Sequence, residues 1–199
     1  SEGWTWFSLN VQGEGDFMLP SNLIGSTYSP DALNDLCNDS NVIIDDNGDP
    51  VGCYMKNQSG FQEYLYGWGW WPDSPMDVNQ TYKLKSYASG NVSITAEPVP
   101  LETSIELGDG WNWISYFPQE LLDLSTALIS LTSDDGSSSI ADFIKSQTSY
   151  AEFIGGYGWW AYGLDYMEPG VGYVMHTNDV GSLVYPDPTD VIGRFFFEE

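Results

Sequence analysis

A chain of 199 residues with 29 acidic and five basic side chains carries a formal charge of −24. That charge repels phosphate backbones and anionic lipid, and so argues against nucleic-acid and membrane-surface partners. Hydrophobic content of 42%, with nine Trp, thirteen Tyr, nine Phe and 21 Gly, excludes a disordered chain and points to twisted sheets joined by tight turns.

The first predicted strand runs from Trp4 to Val11, with Trp4, Trp6 and Ser8 on one face and Thr5, Phe7, Leu9 and Val11 on the other. Apolar residues on both faces predict a strand covered on both sides. A short helix is expected next, with Ser29 as N-cap, Pro30 at its first position, then Ala32, Leu33 and Leu36. Cys37 and Cys53 are two thiols that either form one bridge, as in a secreted protein, or stay reduced. The run Asp45-Asp46-Asn47-Gly48-Asp49 fails as an EF-hand, because glycine at the sixth position puts Ile43 where the first carboxylate belongs. It reads as a turn between two strands, with a looser calcium loop as the alternative. A strand around Lys56 and Gln58, a hairpin at Gly67-Trp68-Gly69-Trp70-Trp71 and closing strands complete this half. Sequons at Asn38, Asn57, Asn79 and Asn91 are no more than the abundance of Asn and Ser supplies.

The second half repeats the first. Gly3-Trp4-Thr5-Trp6-Phe7-Ser8 returns as Gly110-Trp111-Asn112-Trp113-Ile114-Ser115, 107 residues on. Lys56, Gln58, Trp70 and Trp71 return as Lys145, Gln147, Trp159 and Trp160, 89 residues on, as do Asp45-Asp46 at Asp134-Asp135. Met76 and Tyr82 match Met167 and Tyr173 at an offset of 91. The first copy therefore carries 18 extra residues (107 − 89) after its Trp strand. Ser125 precedes a second short helix with Ala127, Leu128 and Leu131. Between the copies, Leu101, Thr103, Ile105 and Leu107 alternate with other residues in a bridge strand. The predicted fold is mainly β with short helices: two tandem repeats, 1–97 and 110–188, about a pseudo-twofold axis, with a bridge at 98–109 and a tail at 189–199.

No catalytic motif is present: no G-x-S-x-G, His-Glu-x-x-His, phosphate loop or Cys-x-x-Cys. The lone His176 has no nucleophile motif to serve and reads as structural. A non-enzyme without metal or cofactor is expected. Lys56 and Lys145 are two of only five basic residues, and Asp45 and Asp134 each stand eleven positions before them, so a partly buried ion pair is the expected role. Gln58 and Gln147 would serve backbone groups of neighbouring loops. Trp68, Trp70, Trp71, Trp159, Trp160, Tyr157 and Tyr162 read either as a sugar-stacking platform or as core and subunit-contact residues.

The Gly-Trp-Asn-Trp-Ile-Ser opening, Ile144-Lys145-Ser146-Gln147 ending in Tyr150, and the block from Met167-Glu168-Pro169-Gly170 to Met175 resemble a repeat of bacterial (Bacteroidota) surface proteins. The chain is also similar to the pyrenoid shell proteins of diatoms and related marine algae. The second copy fits the repeat over 110–186. The first keeps Trp4, Trp6, Lys56, Gln58, Trp70 and Trp71, but has Val78-Asn79-Gln80-Thr81-Tyr82 in place of the closing Pro-Gly-x-Gly-Tyr. The resemblance implies a structural protein whose copies tile edge to edge into a sheet, shell or tube. It implies a location in the chloroplast stroma around the pyrenoid, with the cell surface as the alternative address; the alternative role, a secreted or surface module that binds glycans, comes from the Trp-rich loops. Val191, Ile192, Arg194, Phe195, Phe196 and Phe197 follow the completed second repeat. Three phenylalanines left in water would cost several kcal/mol, at roughly 1.5–3 kcal/mol per side chain, so they must be covered. Docking on a neighbouring subunit as an assembly arm is the leading expectation, and docking on the chain's own core the other.

Overall fold

Short runs of aromatic and β-branched residues separated by glycine turns give several antiparallel sheets. The computed structural model describes residues 3–29 and 32–188. The chain divides into two units: Ser1–Trp6, Val11–Val78 and Tyr82–Glu97 form the first, and Phe7–Asn10, Asn79–Thr81 and Pro98–Glu199 the second. The tail residues Val191, Ile192, Arg194, Phe195, Phe196 and Phe197 lie outside the described residues, as does Pro30.

The first unit is built on a five-stranded sheet in the order Gly3–Phe7, Tyr82–Ser86, Tyr54–Lys56, Phe61–Leu65, Gly69–Trp71. The second is built on Gly110–Ile114, Tyr173–Thr177, Ala141–Lys145, Tyr150–Ile154, Gly158–Tyr162. The two orders correspond strand for strand. The registers agree as well: Lys56 faces Phe61 and Glu63 faces Trp71, while Lys145 faces Tyr150 and Glu152 faces Trp160. A buried tyrosine is tied alike in each unit. Tyr82 Oη accepts from Asp77 N at 2.6 Å, and Tyr173 Oη accepts from Glu168 N at 2.8 Å.

One face of each sheet makes the core. In the first unit Met55, Tyr64, Trp70 and Leu84 bury there, together with Leu23 and Ile24. In the second, Ile114, Ile144, Ala151, Tyr173 and Met175 bury with Tyr116, Phe117, Leu128 and Tyr185. Inside the second unit Ser8 Oγ donates to Val171 O at 2.7 Å, and Ser115 Oγ donates to Gln80 O at 2.8 Å. A Cβ on Gly172 would come within 2.8 Å of Phe7 N, so glycine is needed for that close approach.

Several expectations are corrected. The first strand ends at Phe7 instead of running to Val11, and its Trp4 and Thr5 are exposed rather than covered on both sides. No helix includes Ala32, Leu33 or Leu36. The short helix lies upstream, at Pro20–Leu23 with Pro20 in its first turn, and the Ser29 hydroxyl bonds the Asn22 side chain instead of capping. In the second unit the cap is Asp123, whose carboxylate accepts from Thr126 N at 2.9 Å, and Ser125 sits inside the helix Leu124–Ala127. Of the bridge, Pro98 ends the short strand Glu97–Pro98 and Ile105–Leu107 is strand paired with Gly181–Leu183, while Leu101 lies in a turn. Cys37 and Cys53 are joined as a disulfide.

Candidate functional site

The core face of each sheet is spent on packing, so the opposite face is the candidate surface. In the first unit strand alternation brings Trp4, Lys56, Phe61, Glu63 and Trp71 to that face, and in the second Trp111, Lys145, Tyr150, Glu152 and Trp160. The geometry repeats closely. Lys56 Nζ lies 5.1 Å from the Trp4 ring centre, and Lys145 Nζ lies 5.1 Å from that of Trp111. Trp4 meets Tyr54 edge-to-face at 5.9 Å, as Trp111 meets Phe143 at 5.8 Å. Tyr54 stacks on Phe61 at 5.5 Å, as Phe143 stacks on Tyr150 at 5.5 Å. Lys83, whose Nζ is 3.5 Å from the Trp6 ring centre, and Lys85 add two more ammonium groups to the first face. The four lysines of the chain thus share these two surfaces, each set among aromatic rings whose π faces attract cations.

This arrangement changes the role expected of the lysines. The Asp45 carboxylate is taken up by its own turn, accepting from the backbone N–H of Asn47 and of Asp49 at 2.9 Å each, and these bonds hold its pKa below the usual carboxylate range. Lys56 rests on Trp4. In the second unit the carboxylate that holds the turn is Asp135 rather than Asp134. It accepts from the Ser137 hydroxyl and backbone N–H and from the Ser133 hydroxyl, which lower its pKa to about 2. The first of these turns joins the short strands Ile43–Ile44 and Pro50–Val51, as the turn reading required.

His176 also belongs to the outer face. Its Nδ1 is 2.8 Å from Asp142 Oδ1, and its ring meets Trp111 edge-to-face at 5.1 Å. Gln58 and Gln147 sit exposed in equivalent turns, while Trp6 and Trp113 are half-buried. Trp70 and Trp159 point away from this surface, toward the core side, in register with Tyr64 and Phe153. Of the aromatic set read from the sequence, Trp71, Trp160 and Tyr162 lie on the outer faces. Trp68 and Tyr157 stand at the two hairpin tips, each 85% exposed. No three His, Cys, Asp or Glu side chains converge as a metal-ligating group among the described residues. None of the described helices is long and apolar enough to cross a membrane.

The feature that sequence reading missed is an edge. Gly158–Tyr162 is the outermost strand of its sheet, five residues long, without a charge or a proline. Strand edges of that composition lack the charged or proline residues that usually prevent pairing with other chains. Its counterpart Gly69–Trp71 is shorter and runs directly into Pro72. No family model, curated protein or solved structure matches the chain.

Proposed function

We propose that the chain is a structural protein whose copies associate edge to edge into an extended sheet or shell. The observation that carries this reading is the uncharged Gly158–Tyr162 edge, flanked by the exposed rings of Trp160 and Tyr162. A strand added to that edge would satisfy its outward backbone groups, and the aromatic faces would supply apolar area. The role is the one implied by the likeness to pyrenoid shell proteins. Between the two addresses which that likeness leaves open, the Cys37–Cys53 bridge supports the cell surface, because disulfides persist in oxidising surroundings.

The test is to place charges on the edge. Trp160→Lys with Tyr162→Lys should leave a folded protein, since both side chains are exposed, and should abolish large assemblies in electron micrographs. Assemblies indistinguishable from those of the parent would overturn the reading.

A glycan-binding role has one observation in its favour, the equivalent exposed tips Trp68 and Tyr157. The inner rings are less suited to sugar, because Tyr150 is stacked between Phe143 and Tyr162, which occupies both of its faces. Retardation on polysaccharide that is lost in Trp68→Ala and Tyr157→Ala would favour the glycan role.

A further inference from the structure

The two five-stranded sheets close on equivalent hairpin strands that end differently, Gly69–Trp71 in the first unit and Gly158–Tyr162 in the second. In the first, Pro72 and Asp73 stand at the positions that Ala161 and Tyr162 hold in the second, 89 residues on. The proline has no N–H for a ladder, and the aspartate puts a charge on the edge. Gln62, the counterpart of Ala151, closes that end: its side chain donates to Ser74 O and accepts from Ser74 N, at 3.2 Å each. In the second unit Ala151 pairs with Ala161 instead, and the strand runs on to Tyr162. The outermost strands on the opposite sides of the sheets are also engaged, since Phe7 bridges Val171 and Ile114 bridges Gln80. Among the described residues, Gly158–Tyr162 is thus the one outermost strand of these sheets with neither a stop nor a bridge along its outer side.

Its sequence is complementary to its own reverse. Turned end for end about Trp160, Gly158 falls opposite Tyr162, Trp159 opposite Ala161 and Trp160 opposite itself, so small meets large on both sides of the centre. Alternation puts Gly158, Trp160 and Tyr162 on the outer face. There Trp160 and Tyr162 are exposed, and nothing beyond the chain neighbours comes within 4 Å of a Cβ on Gly158. A column of stacked rings also runs to this edge. Phe143 stacks on Tyr150 at 5.5 Å and Tyr150 on Tyr162 at 4.6 Å, across three neighbouring strands. The first unit has the first step, Tyr54 on Phe61 at 5.5 Å, but Asp73 in place of the third ring.

We infer that the partner across the Gly158–Tyr162 edge is the same strand of a second copy, paired antiparallel about a twofold axis at Trp160. The inference rests on the self-assembly reading and names its contact. The Tyr162 ring of each copy covers the other's Gly158, as aromatic residues do over edge glycines, and the two Trp160 rings meet at the centre. The contact is isologous, so it links copies in pairs, and the extended assembly grows through further contacts between pairs.

The test uses the full chain with its Cys37–Cys53 bridge intact and one nitroxide label at Glu152→Cys. Glu152 is exposed and lies opposite Trp160, one strand in from the edge. Twofold pairing at Trp160 sets the two labelled Cα atoms three strand spacings apart, about 14 Å. The expected result is dipolar coupling in the associated protein that disappears on dilution with unlabelled chain. It should also disappear in Ala161→Pro/Tyr162→Asp, which copies the ending of the first unit, and in Tyr162→Asp alone, a change at an exposed position that leaves the ladder residues intact. A label at Ile154→Cys, two residues off the axis, should couple more weakly. Coupling that persists in both edge variants, or is as strong at Ile154 as at Glu152, would overturn the inference. Fast-sedimenting assemblies without coupling would overturn it while leaving self-assembly intact, because the edge then meets a different surface. A parent that stays monomeric would overturn both.

Discussion

At the scale of single residues, the matched lysines show how a composition-based argument can choose the wrong partner. With 29 acidic residues available, an ion pair was the obvious expectation, yet Lys56 lies over Trp4 and Lys145 over Trp111. Both ammonium groups are on half-exposed sheet faces, where a cation–π contact contributes about 0.5–1 kcal/mol. Lys56→Met should therefore cost about 1 kcal/mol or less in urea unfolding. A loss of about 3 kcal/mol or more would instead indicate a desolvated ion pair. The buried tyrosines set the alkaline limit. Burial pushes Tyr173 up to about 12 and raises Tyr116 and Tyr185 as well. A folded pKa above the unfolded value of about 10 contributes stability that is complete below pH 10. That contribution is lost as pH rises through the folded value. Phenolate absorbance from these rings should appear only together with loss of structure above about pH 10. Their titration near 10 in an intact fold would contradict the burial.

At the scale of elements, the disulfide and the insertion belong together. Cys37 and Cys53 are 16 positions apart and fix the inserted region to the strand Tyr54–Lys56. Closing a loop of that length stabilises by about 3 kcal/mol. Cys37→Ser with Cys53→Ser should lower the stability of the first unit by about that amount in chemical denaturation and leave the second unit's transition nearly unmoved. Equal shifts in both transitions, or no shift, would contradict this assignment. The repeated strands were legible in the sequence, because Trp-x-Trp, Lys-x-Gln and Gly-Trp hairpin blocks impose period-two alternation and glycine turns. The helix expected after Ser29 was not. Pro20 and Ser29-Pro30 are equally good start signals, and only the packing of Leu23 and Ile24 against Trp70 selects the first. Nor could the sequence show which strand would be outermost, since edge position depends on long-range pairing. Of the candidate site, the aromatic and lysine residues could be read as repeated, but their shared outer face follows only from the registers.

At the scale of the whole molecule, the charge of −24 opposes any assembly of copies. At 0.15 M salt the screening length is about 8 Å, and it shortens as salt rises, so repulsion between copies weakens while apolar contacts persist. Assembly should strengthen with salt, and calcium should act no more strongly than magnesium, because Asp45 and Asp135 already spend oxygens on their own turns. A saturable, calcium-selective rise in Tm would contradict that view of the acidic turns. The central claim is that copies of this chain build an extended assembly. Sedimentation velocity of the purified protein over a concentration series at raised salt tests it most directly. The account predicts fast-sedimenting species that grow with concentration and vanish in Trp160→Lys/Tyr162→Lys. A single monomer boundary for the parent at every concentration would contradict it.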